Sequence, residues 1–333
     1  MLRRAIRSVL NQTYPHFHVC VYDNASGDET ASVVAEIMQT DSRVHYHLHP
    51  ENIGAIPNFT YGMERVNTPF FSFLSDDDIL LPEFYKTALE GFQQCPEAVL
   101  SATADLSIDD GKKIHGSNIL FYWKAGVYHP PDGLLAMLKN DHPNWIGILF
   151  QTDIIKRLGP LDLAAGMIAD LDFELRAAGR FSIVVSVKPG AILMIHSSSS
   201  SLSVGFSSRW EGWRKMIQNI AEDNHIAPHA RATATDVLEQ RLQKSLLSEG
   251  IRSVVRKRFE DALQCAEILR NHYNLKWQAF CLKAIAMACR RFSLLYRVAL
   301  LLATMRSHIL RYNAGKKLHK HLGDYKYLLK HIE

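Results

Sequence analysis

The sequence predicts an α/β domain followed by an all-helical C-terminal extension, and three observations support this. Short runs of β-branched and aromatic residues alternate with helical patterns early in the chain. Such alternation is typical of a mostly parallel sheet with helices on both faces. From residue 208 onward, apolar residues recur at three- and four-residue steps, as they do in helices. The charge balance also changes, because residues 1–205 hold 15 Lys and Arg against 23 Asp and Glu, whereas 206–333 hold 23 against 11.

Composition places the chain among ordinary globular proteins. Its 333 residues predict roughly two domains, and 47% apolar with 22% charged residues are sufficient for a sizeable core. The five cysteines are odd in number and lack CxxC spacing, which indicates a reducing compartment and no zinc knuckle. No secretory signal and no apolar run of about 18 residues is present. We therefore expect a cytoplasmic protein.

The first elements alternate regularly along the chain. Helices are predicted over 2–11, 30–39 and 58–66, and strands over 17–23, 43–49 and 69–75. Ser26 precedes Glu29 with the spacing of a capping box, which marks the start of the second helix. Asp23 and the triplet Asp76 to Asp78 follow strands directly. Since ligands of parallel sheets bind beyond the carboxyl ends of the strands, both acidic sites should face one crevice.

The pattern becomes less regular after residue 100. The stretch "IADLDFELRAAGRF", 168–181, predicts a helix closed by Gly179. Residues 182–201 predict a strand, a turn, a second strand and then a run of serines, which is typical of a flexible loop.

The stretch "FFSFLSDDDILLPEF", 70–84, places three adjacent carboxylates beside an apolar strand. Carboxylate oxygens are hard ligands that suit Mg²⁺ or Mn²⁺, and such an ion is commonly completed by substrate phosphates. A divalent cation would offset the repulsion within the triplet. A solvated acidic turn ahead of the next helix would account for the same residues.

Three segments in this order are similar to family 2 glycosyltransferases, which are inverting enzymes with the GT-A nucleotide-sugar fold. They are "LRRAIRSVLNQTYPHFHVCVYDNASGDET", "ENIGAIPNFTYGMERVNTPFFSFLSDDDILLP" and "ADLDFELRAAGRF". The resemblance covers about residues 1–205. It implies a nucleotide-sugar-binding half over 1–100 and an acceptor and catalytic-base half over 101–205. The charge and the helical pattern indicate a basic helical extension over 206–333.

The resemblance also implies which residues bind the donor, a nucleoside-diphosphate sugar with a UDP-sugar favoured. Asp23 matches the acidic residue that contacts the nucleotide base, and Asp76 matches the carboxylate that contacts the ribose. Asp28 belongs to the turn that accompanies Asp23. The implied donor-binding set is Asp23, Asn24, Ser26, Asn52, Gly54, Asp76 and Asp77.

The metal and the catalytic base are implied in the same way. Asp78 matches the last carboxylate of the D-x-D motif, which would hold Mg²⁺ or Mn²⁺, and His196 resembles a histidine that some members place nearby. Asp170 matches the catalytic base. The residue types alone are also compatible with structural roles, because Asp170 and Asp172 would suit a helix N-terminus, and a histidine such as His196 is commonly a loop or core residue.

The sequence departs from the family at its beginning. Family members start with a strand of the type V-S-V-I-I-P-x-Y-N, which lies beside the strand ending at Asp23 and is absent here. Either the true start lies upstream, which we favour, or the chain is a non-catalytic remnant of a transferase. Ala169 also replaces an acidic residue that many members carry before the base.

Two interpretations of the basic extension remain open: a surface that lies on anionic lipid near a lipid-linked acceptor, or a solvated helical addition. Nucleic-acid binding is not expected, since no known motif accompanies the charge. We expect a metal-dependent inverting hexosyltransferase of surface polysaccharide or glycolipid synthesis, peripheral at the inner face of the membrane. The alternatives are the non-catalytic remnant and a membrane-surface interaction protein that acts through its tail.

Overall fold

The structure is a computed structural model that describes residues 1–109, 111–196, 206–302, 304, 305, 309 and 326–332. The helices are α1 (Leu2–Leu10), α2 (Thr30–Met38), α3 (Ala55–Met63), α4 (Phe84–Gln94), α5 (Asn118–Tyr122), α6 (Asp132–Asn140), α7 (Ile154–Leu158), α8 (Ala169–Arg180), α9 (Phe206–Glu222), α10 (Pro228–Val255), α11 (Phe259–Asn271) and α12 (Lys276–Arg291). The strands are β1 (Val19–Asp23), β2 (Val44–Leu48), β3 (Phe70–Phe71), β4 (Ile79–Leu80), β5 (Leu100–Asp109), β6 (Ile114–Gly116), β7 (Gly126–Tyr128), β8 (Ile148–Gln151) and β9 (Ile183–Ile195).

The described residues fold as two compact units. The first comprises residues of 1–234 together with the segment 326–332, and the second comprises those of 235–309. The second unit is built from helices, and residues 293–302 add a further helix after α12. The predicted α/β class and the helical C-terminal region are confirmed. The functional division at 205/206 stays a prediction, and the predicted serine-rich loop at 197–201 lies outside the described residues.

The first unit contains two separate sheets. β1 and β2 form a parallel pair, in register from Val19 opposite Val44 to Asp23 opposite Leu48. The larger sheet has the order β3-β8-β5-β9-β4, with β6 added to β5 and β7 added to β9. Among the described residues, no strand joins the two sheets. This is the place where the family resemblance implied an additional strand beside β1.

The larger sheet is mixed, which differs from the mostly parallel arrangement predicted for it. β5 and β9 are parallel, whereas every other pairing in this sheet is antiparallel. β3 and β4 lie at the two ends of the strand order and run in opposite directions. Residues 72–78, which join these two strands, form the acidic loop.

Several element boundaries differ from those predicted, for identifiable reasons. α3 begins at Ala55, directly after Gly54 at φ +90°, rather than at residue 58. Pro57 therefore lies in the first turn of α3, where proline is tolerated because the N–H of that turn needs no partner. The predicted strand, turn and strand after residue 182 form one strand, β9. Gly190 lies within it because a Cβ at that position would clash with Thr103.

The core lies between the larger sheet and the helices that cover it. Phe84, Phe150 and Phe173 are fully buried, and Phe173 anchors α8 against β8 through an edge-to-face contact with Phe150. On another face of α8, Asp172 forms a buried ion pair with Arg176 at 2.8 Å. These contacts fix the start of α8, where Asp170 lies. No helix of the described residues has the length and apolarity needed to cross a membrane.

Candidate active site

The first part of the site is the loop that follows β1. Asp23 ends this strand, is buried, and accepts hydrogen bonds from the Tyr46 hydroxyl (2.7 Å) and the Ser26 amide (2.9 Å). Burial alone would raise the pKa of Asp23, but these hydrogen bonds outweigh it and lower the pKa. The same contact, added to burial, raises the pKa of Tyr46 to about 12. Asp23 is therefore held as a carboxylate at neutral pH.

Two asparagines connect this loop to the loop that follows β2. Asn24 Nδ2 donates to Asn52 Oδ1 (3.0 Å), and Asn24 Oδ1 accepts from the Ile53 amide (2.8 Å). Asn52 Oδ1 also accepts from the Gly54 amide (2.9 Å). Five of the residues assigned to the donor from sequence thus share one hydrogen-bonded corner: Asp23, Asn24, Ser26, Asn52 and Gly54.

The turn between β1 and α2 differs from the predicted capping box. Asp28 Oδ1, rather than Ser26, accepts a hydrogen bond from the Thr30 amide at the helix start (2.9 Å). The Ser26 amide instead donates to Asp23, and the turn takes left-handed backbone at Ala25 and Gly27. The spacing of Ser26 and Glu29 is compatible with a capping box and also with the observed turn. The observed turn forms because the Ser26 amide donates to the buried Asp23 carboxylate.

Sequence reasoning missed a buried polar group beneath this corner. His49 is buried, and its Nε2 lies 2.9 Å from Asn58 Oδ1. Asn58 Nδ2 donates in turn to the carbonyl of Tyr22 (3.0 Å). The available signal was a histidine one residue beyond β2, at the same sheet edge as Asp23.

The acidic loop forms the second part of the site, and its three carboxylates have different surroundings. Asp76 is exposed. Asp77 Oδ2 lies 2.6 Å from His196 Nε2, so the structure joins a residue of the predicted donor-binding set to the histidine predicted to lie near the metal. The Asp77 carbonyl accepts a hydrogen bond from Arg4 Nη2 (3.1 Å), a contact that sequence reasoning missed. His196 follows β9, so its contact with Asp77 links the end of that strand to this loop.

Asp78 is the buried member of the triplet, 2% exposed. Its Oδ1 accepts a hydrogen bond from the Met194 amide in β9 (2.8 Å). Burial raises the pKa of Asp78 to about 7, with Asp77, Asp105 and Asp76 adding to the increase and the Met194 amide opposing it. The Asp78 carboxylate therefore has the unfavourable environment that a nearby cation would relieve.

The third part of the site is the start of α8. Asp170 is half-buried and its Oδ1 accepts from the Leu171 amide (2.7 Å). Burial raises the pKa of Asp170, while the Leu171 amide and the positive charge of His142 oppose the increase. His142 Nδ1 lies 3.1 Å from Glu174 Oε2. His142 and Glu174 were not among the residues predicted from sequence.

A chain of buried carboxyl groups lies between the acidic loop and α8. Asp105 in β5 is fully buried, and its Oδ2 accepts from Asn144 Nδ2 (2.8 Å). Asp105 raises the pKa of Asp78 on one side and that of Glu174 on the other. The predicted metal ligand and the predicted base are thus electrostatically connected through Asp105 and Glu174.

The residues of the acidic loop fit a divalent cation of the kind that the family resemblance implies. The part of the chain that the structure describes contains no group of three His, Cys, Asp or Glu side chains arranged around a metal position. Mg²⁺ commonly uses only one or two protein carboxylates and takes its other ligands from water and substrate phosphates. The Met194 amide engages one of the two Asp78 oxygens. A site of one or two carboxylates completed by a diphosphate agrees with this chemistry.

Comparison with known proteins supports the predicted resemblance. Residues 1–158, just under half of the chain, match the family model described as Glycosyl transferase family 2. The loop after β1, the corner around Asn52 and the acidic loop all lie within the matched range, whereas α8 and His196 lie beyond it.

Relatives and solved structures agree with this resemblance. The GalNAc(5)-diNAcBac-PP-undecaprenol beta-1,3-glucosyltransferase of Campylobacter jejuni is 33% identical over 91 residues, which cover 27% of this chain and 29% of that protein. Residues 1–349 of TarS from S. aureus, in complex with UDP-GlcNAc, have a TM-score of 0.63 at 13% identity, covering 91% of this chain and 88% of that one.

A second solved structure has the same fold. The mannosyltransferase PcManGT from Pyrobaculum calidifontis, in complex with GDP-Man and Mn²⁺, has a TM-score of 0.52 at 14% identity, covering 95% of this chain and 82% of that one. At these identities the likeness establishes the fold, which confirms the GT-A type architecture expected from the family 2 resemblance. The chain spans less than a third of the length of the Campylobacter relative.

The hydrogen bond from Tyr46 to Asp23 predicts a pH-dependent stability. The pKa of Asp23 is lower in the folded protein than in the unfolded chain, so its stabilisation is present above the unfolded value and is lost as pH falls through the folded value. Tyr46→Phe should lower the free energy of unfolding at pH 7 by about 1.5–3 kcal/mol, as for a hydrogen bond to a charged group. Urea unfolding between pH 7 and pH 3.5 should show this difference shrinking in acid.

Tyr128→Phe is the matched control, since the Tyr128 hydroxyl donates to the neutral carbonyl of Lys124 (2.9 Å). Its effect on stability should not change over the same pH range. A Tyr46→Phe effect that is as large at pH 3.5 as at pH 7 would contradict the assignment.

Proposed function

We propose that this protein is a metal-dependent inverting glycosyltransferase of the hexosyltransferase type. It transfers a sugar from a nucleoside-diphosphate sugar, a UDP-sugar by preference, to a hydroxyl of a glycan or lipid-linked acceptor in surface polysaccharide or glycolipid synthesis. The observation that carries the proposal is the match of residues 1–158 to the family 2 model, since these residues contain both the Asp23 corner after β1 and the acidic loop between β3 and β4.

The hydrogen-bonded corner around Asp23 supports a role in nucleotide binding. Asp23 stays ionised because its pKa is lowered, and an ionised carboxylate accepts hydrogen bonds from the N–H groups of a base. The Asn24–Asn52 contact fixes the two loops that would enclose the nucleotide, so little ordering is needed on binding. Asp76 and Asp77 would contact the ribose and the diphosphate. The UDP-GlcNAc complex of TarS supports a UDP-sugar as the donor.

Asp78 is the proposed metal ligand, with His196 beside it. When bound, Mg²⁺ or Mn²⁺ would neutralise charge on the departing diphosphate, which is the main electrostatic requirement of this reaction. The Mn²⁺ in the PcManGT complex supports this choice of cation. Asp77, at 2.6 Å from His196, would orient that imidazole. Burial among the other carboxylates gives Asp78 a direct electrostatic reason to bind a cation.

Asp170 is the proposed base. It accepts the proton of the acceptor hydroxyl as the oxygen bonds to the anomeric carbon, and the electron pair of the breaking bond leaves with the nucleoside diphosphate. Attack from the face opposite the leaving group inverts the configuration. Asp170 lies in the first turn of α8, where the helix dipole favours the ionised form.

The second unit supports a membrane surface as a further partner. Residues 276–323 contain ten Lys and Arg and no Asp or Glu. On α12, Trp277 and Phe280 stack on each other and are 71% and 63% exposed, and Leu294 beyond it is 71% exposed. Exposed aromatic and apolar side chains among cations suit the interface of an anionic bilayer. Such a surface, at the inner face of the membrane, would bring the active site to a lipid-linked acceptor.

Asp78→Asn tests the metal assignment. Titration calorimetry should detect UDP binding that depends on Mn²⁺ in the native protein, and Asp78→Asn should weaken it by on the order of tenfold or more. Asp153→Asn, an exposed carboxylate paired with Arg157, is the control and should bind as the native protein does. Equal Mn²⁺-dependent UDP binding by native protein and Asp78→Asn would end the metal assignment.

Asp170→Asn tests the base. The amide cannot accept the proton, so kcat should fall by about 10²–10⁴-fold while donor binding is retained. Asp132→Asn is the matched control, because Asp132 is an exposed carboxylate in the first turn of α6. Radiolabelled sugar transfer and UDP titration measure the two effects. Full transfer activity in Asp170→Asn would remove this residue from the mechanism.

Liposome flotation tests the membrane surface. The native protein should float with vesicles containing anionic lipid and not with zwitterionic vesicles, because each basic side chain near an anionic surface contributes about 1 kcal/mol. Trp277→Ser with Phe280→Ser should reduce the floating fraction. Tyr122→Ser with Leu163→Ser removes exposed apolar residues from the first unit and should leave it unchanged. An equal reduction of the floating fraction in both double variants would argue against a role for α12.

A further inference from the structure

His142 lies in a loop that neighbouring side chains hold in place. The loop follows α6, and Asp141 takes left-handed backbone there, with φ at +69°. The Asp141 carbonyl accepts from Trp123 Nε1 (3.0 Å), and the His142 carbonyl accepts from Asn118 Nδ2 (3.1 Å). Two residues further on, Asn144 donates to Asp105. These hydrogen bonds therefore fix the position of the His142 imidazole.

That position is beside the face of α8 that carries the proposed base. Asp170 and Glu174 are four residues apart, so their side chains lie on the same side of the helix, one turn from each other. Glu174 is fully buried, its Oε2 contacts His142 Nδ1 at 3.1 Å, and its Oε1 has no hydrogen-bond partner among the described residues. The imidazole is the group that makes this buried carboxylate tolerable.

The charges around His142 come from every element that packs against it. Glu174 and Asp170 face it from α8, and Asp141 faces it from its own loop. Burial raises the pKa of Glu174, the partner of His142, and Asp105 in β5 adds to that increase. Burial alone would lower the pKa of His142, but the carboxylates outweigh it and raise the pKa to about 9. The ring is thus an imidazolium at neutral pH, with Nδ1–H shared between the Pro143 carbonyl (2.8 Å) and Glu174 Oε2 (3.1 Å), and with Nε2–H as a second donor.

We propose that His142, held by Glu174, is a positioning residue for Asp170: its positive charge keeps the Asp170 carboxylate ionised and ready to accept the acceptor proton. This inference rests on the proposed function, in which Asp170 is the base. Asp170 alone has a problem, because burial favours its neutral form, which cannot accept a proton. The positive charge of His142 acts against this effect of burial and lowers the pKa of Asp170, which favours the form that can accept a proton.

The Asp170 carboxyl can be followed directly, independently of sugar transfer. In protein labelled with ¹³C at the aspartate carboxyl carbons, the Asp170 signal is assigned by its loss in Asp170→Asn. His142→Gln should raise the pH at which this signal titrates by about one pH unit or more. His142→Lys, which keeps a positive charge, should leave it closer to the native value. His129→Gln is the control, since His129 is an exposed histidine whose Nδ1 lies 2.9 Å from the neutral Ser182 hydroxyl.

Two further measurements separate the possible failures. The His142 imidazole signal should titrate near pH 9 in the native protein and at least one pH unit lower in Glu174→Gln. The acidic limb of kcat/KM for sugar transfer should move up in His142→Gln together with the Asp170 titration. An unchanged Asp170 titration in folded His142→Gln overturns the proposal. If that variant does not fold, an unchanged His142 titration in Glu174→Gln overturns it instead.

The proposed function fails separately. If no donor and acceptor support transfer by the native protein, the transferase assignment is lost, yet the titration of Asp170 still reports whether His142 controls its ionisation. If transfer occurs and only the His142→Gln profile is unchanged, the transferase assignment stands and the positioning role is lost.

Discussion

Buried carboxylates on or next to strands are the feature on which the rest of this structure depends. Asp23, Asp78 and Asp105 all lie on or close to strands and are buried. An isolated ionised carboxylate is costly in such a place, so each one requires a donor or a cation. Tyr46 and Ser26 serve Asp23, the Met194 amide serves Asp78, and Asn144 serves Asp105. The loops around the sheet edge are arranged by these contacts.

In the proposed mechanism, the important carboxylates are those that the fold compensates only in part. Asp78 has one main-chain donor for a group whose pKa burial raises to about 7. Glu174 has one oxygen on His142 and, among the described residues, no partner for the other, and its pKa is also raised to about 7 by burial. These groups are poor stabilisers of a fold on their own. They are well suited to a site that a cationic cofactor and a charged donor complete.

Sequence alone was sufficient for the part of the site that local pattern determines. Asp23, Asn24 and Asn52 lie where strand ends and turn residues predict them, since a parallel β–α unit directs its loops to one edge. Asp170 lies at a helix start that the apolar periodicity after it defines. The pairing of Asp77 with His196 joins residues 119 positions apart. The sequence named both residues but could not give their contact.

Other features depended on tertiary contacts that no local pattern carries. The mixed sheet depends on pairings between strands that are distant in sequence, such as β4 with β9, and β3 and β4 lie at opposite ends of its strand order. Asp105 lies in a strand and Glu174 in a helix, and neither segment has a sequence motif that marks it as part of a site. Their burial becomes visible only in the structure, where the loop 141–144 packs against them. His142 has no motif around it. Its role depends on Glu174, 32 positions away.

The Arg4 guanidinium contacts two parts of the first unit that are distant in sequence. One of its terminal nitrogens donates to the Asp77 carbonyl and the other to the carbonyl of Ile332, a buried residue of the segment 326–332. A single guanidinium therefore ties this C-terminal segment to the backbone of the acidic loop. Loss of residues 326–332 would therefore disturb a neighbour of the Asp77–His196 pair rather than a remote segment.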